Sequence, residues 1–191
     1  DRHRRWWLGY LGGRVQLRRA SKRTTLTTRG VMATTGGELT TSGLCAAMRF
    51  DHERLEIGAR HLLECVLFGR ADVVEQAFLR FRTEMMAHLE AERRYLLPAF
   101  ERERPASAKL IRDDHVLIHA LLATIGEQVA RRSVMPAIVR KLVEALHANG
   151  GREIGELYPW AETGVGVEES RAALELIHQA ETDRKHQKWM P

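Results

Sequence analysis

The chain has 191 residues, 44% of them apolar, with 30 Lys or Arg against 25 Asp or Glu and a pI near 9.6. That suffices for one medium domain with a core and some tail. No apolar run approaches the roughly 18 residues a bilayer-spanning helix needs, so a membrane span is excluded and a soluble protein is expected.

The basic balance belongs to a segment. Residues 1–31 hold nine Arg or Lys and a single acid, Asp1, which leaves 21 basic and 24 acidic residues in the remainder. Residues 1–41 show no sustained helical or strand period and are expected to form a basic, disordered arm. With Trp6, Trp7 and Tyr10 it could attract nucleic acid or an anionic membrane surface, and its Arg, Ser and Thr content also suits an organellar presequence. The reading taken is that it is upstream sequence, with Met32 as the true start and no nucleic-acid role for the rest of the chain.

A first helix is expected from Ser42, as N-cap, to Phe68, with Gly69 as the stop. Met48, His52, Leu55, Ala59, Leu62 and Val66 share one face, so His52 points inward, whereas His61 lies about 180° from it and faces water. Cys45 and Cys65 fall in this helix about 30 Å apart, too far to bridge one another there. Two unpaired thiols fit a reducing cytoplasm.

The second helix is expected from Asp72, as cap, to Leu97, where Pro98 bends or ends it. Val74, Phe78, Phe81 and Met85 form its inward stripe, which continues into His88 and Glu92. Two ionisable groups therefore point into a core, where an unpaired carboxylate costs several kcal/mol unless a cation or metal ion accompanies it. After a PASAK connection, the third helix is expected from Ser107 to Arg131, with His115 in the stripe of Ile111, Ile118, Leu122, Ile125 and Val129, and His119 beside it.

The fourth helix is expected from Pro136 to Tyr158, with Ile138, Leu142, Ala145, Asn149, Glu153 and Leu157 inward and His147 facing water. Gly150 and Gly151 weaken it by about 1 kcal/mol each relative to Ala, which leaves room for a local bulge that could turn His147 inward, an outcome not expected. A short fifth helix, Glu168–Asp183, is expected to pack outside the bundle, with His178 and His186 on the surface. HLEAERRYLLPAF and NGGREIGELYPWA each place a Glu six residues before a Pro, so the second and fourth helices read as equivalent halves of one design.

The expected fold is therefore all-α: an up-down four-helix bundle over residues 42–162, preceded by the arm and followed by a C-terminal helix and tail over 163–191. His52, His88, Glu92, His115, His119 and Glu153 fall midway along its helices. Nitrogen and oxygen ligands without thiolate, with two carboxylates able to bridge, favour a pair of iron ions, with manganese second, over a structural zinc. Glu56 is expected as a surface partner of Arg60 rather than an extra carboxylate ligand, and Tyr95 and Tyr158 as ordinary core residues rather than groups that line the site or hydrogen-bond its ligands.

DHERLE, HLEAERRYLLP, DDHVLIHALL and ANGGREIGELYPWAE, in that order, resemble the hemerythrin-like (HHE cation-binding) family over roughly residues 44–162. The resemblance implies a four-helix bundle around two non-haem irons. It puts His52 and His88 on one iron, His115 and His119 on the other, and Glu92 and Glu153 as bridges. Asn149 stands where the pattern calls for a histidine, and its amide oxygen is a weak, neutral ligand. Such a protein is expected to bind or sense dioxygen, nitric oxide or iron rather than turn over a substrate. No nucleophile constellation, phosphate loop or dinucleotide fingerprint supports another enzyme class. The rival expectation is a bundle that has lost its metal and works through contacts with a protein partner.

Overall fold

Helices that carry an apolar stripe on one face must bury it against one another, and this chain does so with helices alone. The structure, a computed structural model, describes residues 42–187, with side chains over 43–183; among them no residue is in a strand. The arm and the side chains of Ser42 and His186 lie outside the described residues.

Helix α1 spans Ser42–Phe68. It stops at Gly69, whose N–H bonds the Cys65 carbonyl at 2.7 Å and where a Cβ would overlap that carbonyl. Helix α2, Ala71–Ala91, runs through a π turn at Glu92–Leu96 into α3, Leu97–Glu103. Helix α4 spans Pro105–Ala130. Helix α5, Pro136–Arg152, passes through a second π turn at Glu153–Leu157 into α6, Tyr158–Gly164, and α7 spans Val167–Gln187.

Three sequence expectations need correction. Asp72 does not cap α2: it lies in the first turn, where its charge favours the positive end of the helix dipole, and accepts from Arg70 Nε at 3.1 Å. Neither Pro98, expected to bend or end the second helix, nor Pro159, which follows the expected end of the fourth at Tyr158, terminates its helical run. Each follows a π turn and occupies the first turn of the next helical stretch, where the missing N–H costs nothing. PASAK is helical as well, because Pro105 opens α4 directly after Arg104.

Helix α1 packs on α2 and α5, α4 packs on α5 and α2, and α7 lies along α2. Ala173 and Ala180 give α7 its buried face, whereas Gln179 is exposed and bonds Asp183 at 2.8 Å. No helix among the described residues is long and apolar enough to cross a membrane.

The apolar interior forms two layers. One contains Leu55, Phe78, Met85, Ile118 and Leu146; the other contains Met48, Leu96, Phe100, Ile111 and Leu157. Each of the four long helical runs crosses from one layer to the other, and each carries its buried polar residue at the crossing: His52, His88 with Glu92, His115, and Asn149 with Glu153. The polar groups thus share one level of the bundle, between two apolar plugs.

In the second layer Phe100 is fully buried and meets Trp160 edge to face, with ring centroids 5.1 Å apart, while Trp160 Nε1 donates to Glu103 at 2.8 Å. These contacts join α3 to α6. Phe100→Ala is expected to cost about 3–5 kcal/mol, read as a lowered denaturant midpoint; a loss under about 1 kcal/mol would show that this layer does not pack as described.

Candidate metal centre

Helix α1 supplies His52 between Met48 and Leu55, and α4 supplies His115 between Ile111 and Ile118, both held inward by flanking apolar residues. His88 and Glu92, and likewise Asn149 and Glu153, lie four residues apart and so project from one helix face in succession. His88, Glu92, Asn149 and Glu153 are fully buried, and His52 and His115 are 1% and 7% exposed.

Both π turns begin at a carboxylate. In a π turn the N–H of residue i+5 reaches the carbonyl of residue i, and here Leu97 bonds back to Glu92 and Tyr158 to Glu153. The internal echo in the sequence is therefore a repeated backbone device. In the second copy it sets the Tyr158 hydroxyl against Glu153.

The ligand atoms fall into two sets. In one, His88 Nε2 lies 3.4 Å from Glu92 Oε1, and His52 Nε2 lies 3.6 Å from Glu153 Oε2. In the other, His115 Nε2 lies 3.2 Å from Glu92 Oε2 and 3.1 Å from Glu153 Oε1, which also accepts from Asn149 Nδ2 at 2.6 Å. Each carboxylate presents one oxygen to each set. One ligand atom from each of His88, Glu92 and Glu153 lies within 4.8 Å of the other two.

Outer contacts fix this arrangement. His88 Nδ1–H donates to Asp51 Oδ2 at 2.8 Å, which turns Nε2 toward the carboxylates; metal-binding imidazoles are commonly oriented in this way. Arg54 holds Asp51 and also pairs with Glu84. Arg152 binds Asp114 through two hydrogen bonds, of 2.6 and 2.7 Å, and so ties together the residues just before His115 and Glu153. Gly150 makes room for His52, because a Cβ there would overlap its ring.

Burial acts to lower the pKa of His88, yet the Glu92 charge and the Asp51 hydrogen bond hold it well above the usual imidazole value. Burial also opposes charge on His115, but hydrogen bonds to Glu153 and Glu92 push its pKa up to about 9. For Glu92, burial favours the neutral acid and is outweighed by the His88 charge and the His115 hydrogen bond, so its pKa lies well below the usual carboxylate range. Burial, then the charges of Glu153 and Glu92, raise the Tyr158 phenol well above its usual value.

The donor set suits a metal, and three atoms ask for one. His52 Nε2 and Asn149 Oδ1 are buried without a hydrogen-bond partner, and Glu92 Oε2 has only the His115 imidazole, at 3.2 Å. Leaving a buried polar atom unpaired costs roughly 1–3 kcal/mol, and a cation held in each ligand set is a partner such lone pairs accept.

Of the residues expected from the sequence, His52, His88, Glu92, His115, Asn149 and Glu153 come together. His119 does not. Four residues advance an α-helix by about 40° beyond a full turn, so Ile118 takes the inward place and His119 is exposed. It lines a cavity of about 250 Å³ between α2 and α4, beside His115. His61 and His147 are exposed, as expected, with Nδ1 of His147 3.5 Å from Glu56. Glu56 is half-buried and accepts from Arg60 at 3.1 Å.

Sequence reasoning missed Asp51, Arg54 and Arg152 and gave Tyr158 too small a part. The sequence signal for Asp51 is its place in DHERLE; for Tyr158 it is the repeated Glu-to-Pro spacing, which marks a non-α turn. Comparison of the chain with known protein families, characterised proteins and solved structures finds no match.

The two central glycines give a contrast. Gly151 meets no atom within 4 Å, so Gly151→Ala is expected to stabilise by up to about 1 kcal/mol, whereas Gly150→Ala, which displaces His52, is expected to destabilise. Equal thermal shifts for the two would contradict the packing described.

The pKa directions set the pH response of the metal-free protein. A folded His115 holds its proton up to about pH 9, whereas the unfolded one releases it near 6.5. Its stabilisation is therefore complete below pH 6.5 and is lost as pH rises through about 9; His88 acts in the same direction. Glu92 contributes above its ordinary pKa and loses its contribution as pH falls. Chelator-treated protein is expected to show a lower urea midpoint at pH 9.5 than at pH 6.5, and a midpoint unchanged or higher at pH 9.5 would contradict the ion pairing.

Proposed function

We propose that the chain is a hemerythrin-like metal-binding protein, in which Glu92 and Glu153 bridge two iron ions inside an up-down four-helix bundle. The observation that carries this reading is the division of each carboxylate between the two ligand sets. His52 and His88 would serve one ion, and His115, with the weak amide oxygen of Asn149, the other. The opposite layer order in successive helical runs supports the up-down topology. The unpaired thiols of Cys45 and Cys65 support a cytoplasmic setting.

When bound, iron supplies redox chemistry that protein side chains lack, and with it the capacity to bind or sense dioxygen or nitric oxide. The chain's own residues do the rest. Two apolar layers keep bulk water from the centre, Asp51 fixes the His88 ring, and the Arg152–Asp114 pair sets His115 against Glu153. To act as metal donors His88 and His115 would be neutral, each giving up the proton it shares with the carboxylates in the metal-free cluster.

The second reading is a metal-free bundle acting through protein contacts, in which protonated His88 and His115 alone neutralise Glu92 and Glu153. The hydrogen bonds within the cluster favour it, with Asn149 Nδ2 donating to Glu153 and the Tyr158 phenol donating to Glu92 or Glu153.

Elemental analysis after anaerobic ferrous loading and desalting separates the two. The proposal expects two irons per chain, and with metal at a hundredfold its Kd about 2.7 kcal/mol of added stability. That corresponds to a rise in Tm of roughly 5–10 °C for a domain of this size. The folded double variant E92Q/E153Q should take up none. Folded wild-type protein that retains no metal would establish the second reading.

A further inference from the structure

The phenol of Tyr158 is placed where a second-row bystander would not be. Its Oη lies 2.7 Å from Glu92 Oε1, 3.0 Å from Glu153 Oε2 and 3.2 Å from His88 Nε2. These are one atom from each of the three residues whose ligand atoms cluster. The phenol oxygen therefore sits at the focus of the His52 and His88 side.

Proton counting makes this place uncomfortable without a cation. A phenol has one hydrogen and can donate it to one acceptor at a time. When it goes to Glu92, the contact with Glu153 brings two oxygens within 3.0 Å with no hydrogen between them; the reverse choice leaves the Glu92 pair bare. Tyr158 cannot swing aside to relieve the conflict. It is fully buried, its backbone N–H is bonded to the Glu153 carbonyl, and Pro159 and the buried Trp160 follow it. A metal ion that takes its place among His88, Glu92 and Glu153 must meet this oxygen.

We propose that Tyr158 is itself a ligand, bound as a phenolate through Oη to the ion on the His52 and His88 side. The inference rests on the metal-binding reading above. As the metal–oxygen bond forms, the O–H bond breaks and its proton passes to solvent, so no oxidant is needed. The two sides then differ chemically: one carries an anionic phenolate, the other the neutral amide of Asn149. Negative charge on one ion favours its ferric state, so the two irons should differ in how readily they are reduced.

The test uses the full chain loaded with ferrous iron and oxidised with ferricyanide, which accepts one electron per iron. Wild type and Tyr158→Phe are compared by metal content, visible absorption and resonance Raman scattering. The inference expects a visible tyrosinate-to-iron band whose excitation enhances phenolate ring modes, both absent from a folded Tyr158→Phe that still takes up iron. Those modes should shift when wild-type protein carries ring-deuterated tyrosine and should persist in Tyr95→Phe, a check that does not depend on Tyr158→Phe folding. Iron uptake with no phenolate modes in wild type would overturn the inference and leave the metal-binding reading intact. Wild-type protein that takes up no iron would overturn both.

Discussion

Two carboxylates buried at one level of a helical bundle are the constraint to which the rest of the structure answers. Glu92 and Glu153 have no access to solvent, and moving an unpaired carboxylate into such a place costs several kcal/mol. The chain surrounds them with positive or protonatable groups and with hydrogen-bond donors: His52, His88, His115, Asn149 and Tyr158. Two polar atoms, His52 Nε2 and Asn149 Oδ1, still remain without a partner. A cluster so nearly satisfied, and short of cationic partners at its middle, is what a metal site built from nitrogen and oxygen donors requires.

The backbone gives this cluster its geometry. Both glutamates start π turns, and each π turn is followed by a proline in the first turn of the next helix. The local widening lets the helix continue past the proline, and in the second copy it sets the Tyr158 hydroxyl against Glu153. Leu97 closes the first copy with an apolar side chain, whereas Tyr158 closes the second with a hydroxyl. The apolar layers above and below then exclude water, which strengthens every charge interaction between them.

Much of this was legible in the sequence because α-helical periodicity is reliable over straight stretches. The spacing of Met48, His52 and Leu55 placed His52 inward, and the same arithmetic placed His88, Glu92, His115, Asn149 and Glu153. It failed where the helix is not α. Pro98 read as a bend or an end and the fourth helix as stopping at Tyr158, because α-helix arithmetic does not place a π turn at Glu92 or Glu153, and Tyr158 lost its place over Glu153 for the same reason. His119 was lost to a phase difference of about 40°, which a stripe drawn by threes and fours does not resolve. Gly150 read as a weakness because its purpose, the space for His52, depends on a neighbouring helix. Asp51 and Arg152 act across helices on His88 and on Asp114, and no single-helix pattern shows such contacts.

The central claim is that a metal belongs between Glu92 and Glu153. Anomalous-difference maps from crystals of iron-loaded protein, collected on either side of the iron absorption edge, would locate it directly. The account predicts peaks flanked by these two carboxylates, one near His88 and the other near His115. Well-ordered maps from iron-saturated crystals with no peak inside the bundle, or with iron only on the surface, would contradict it.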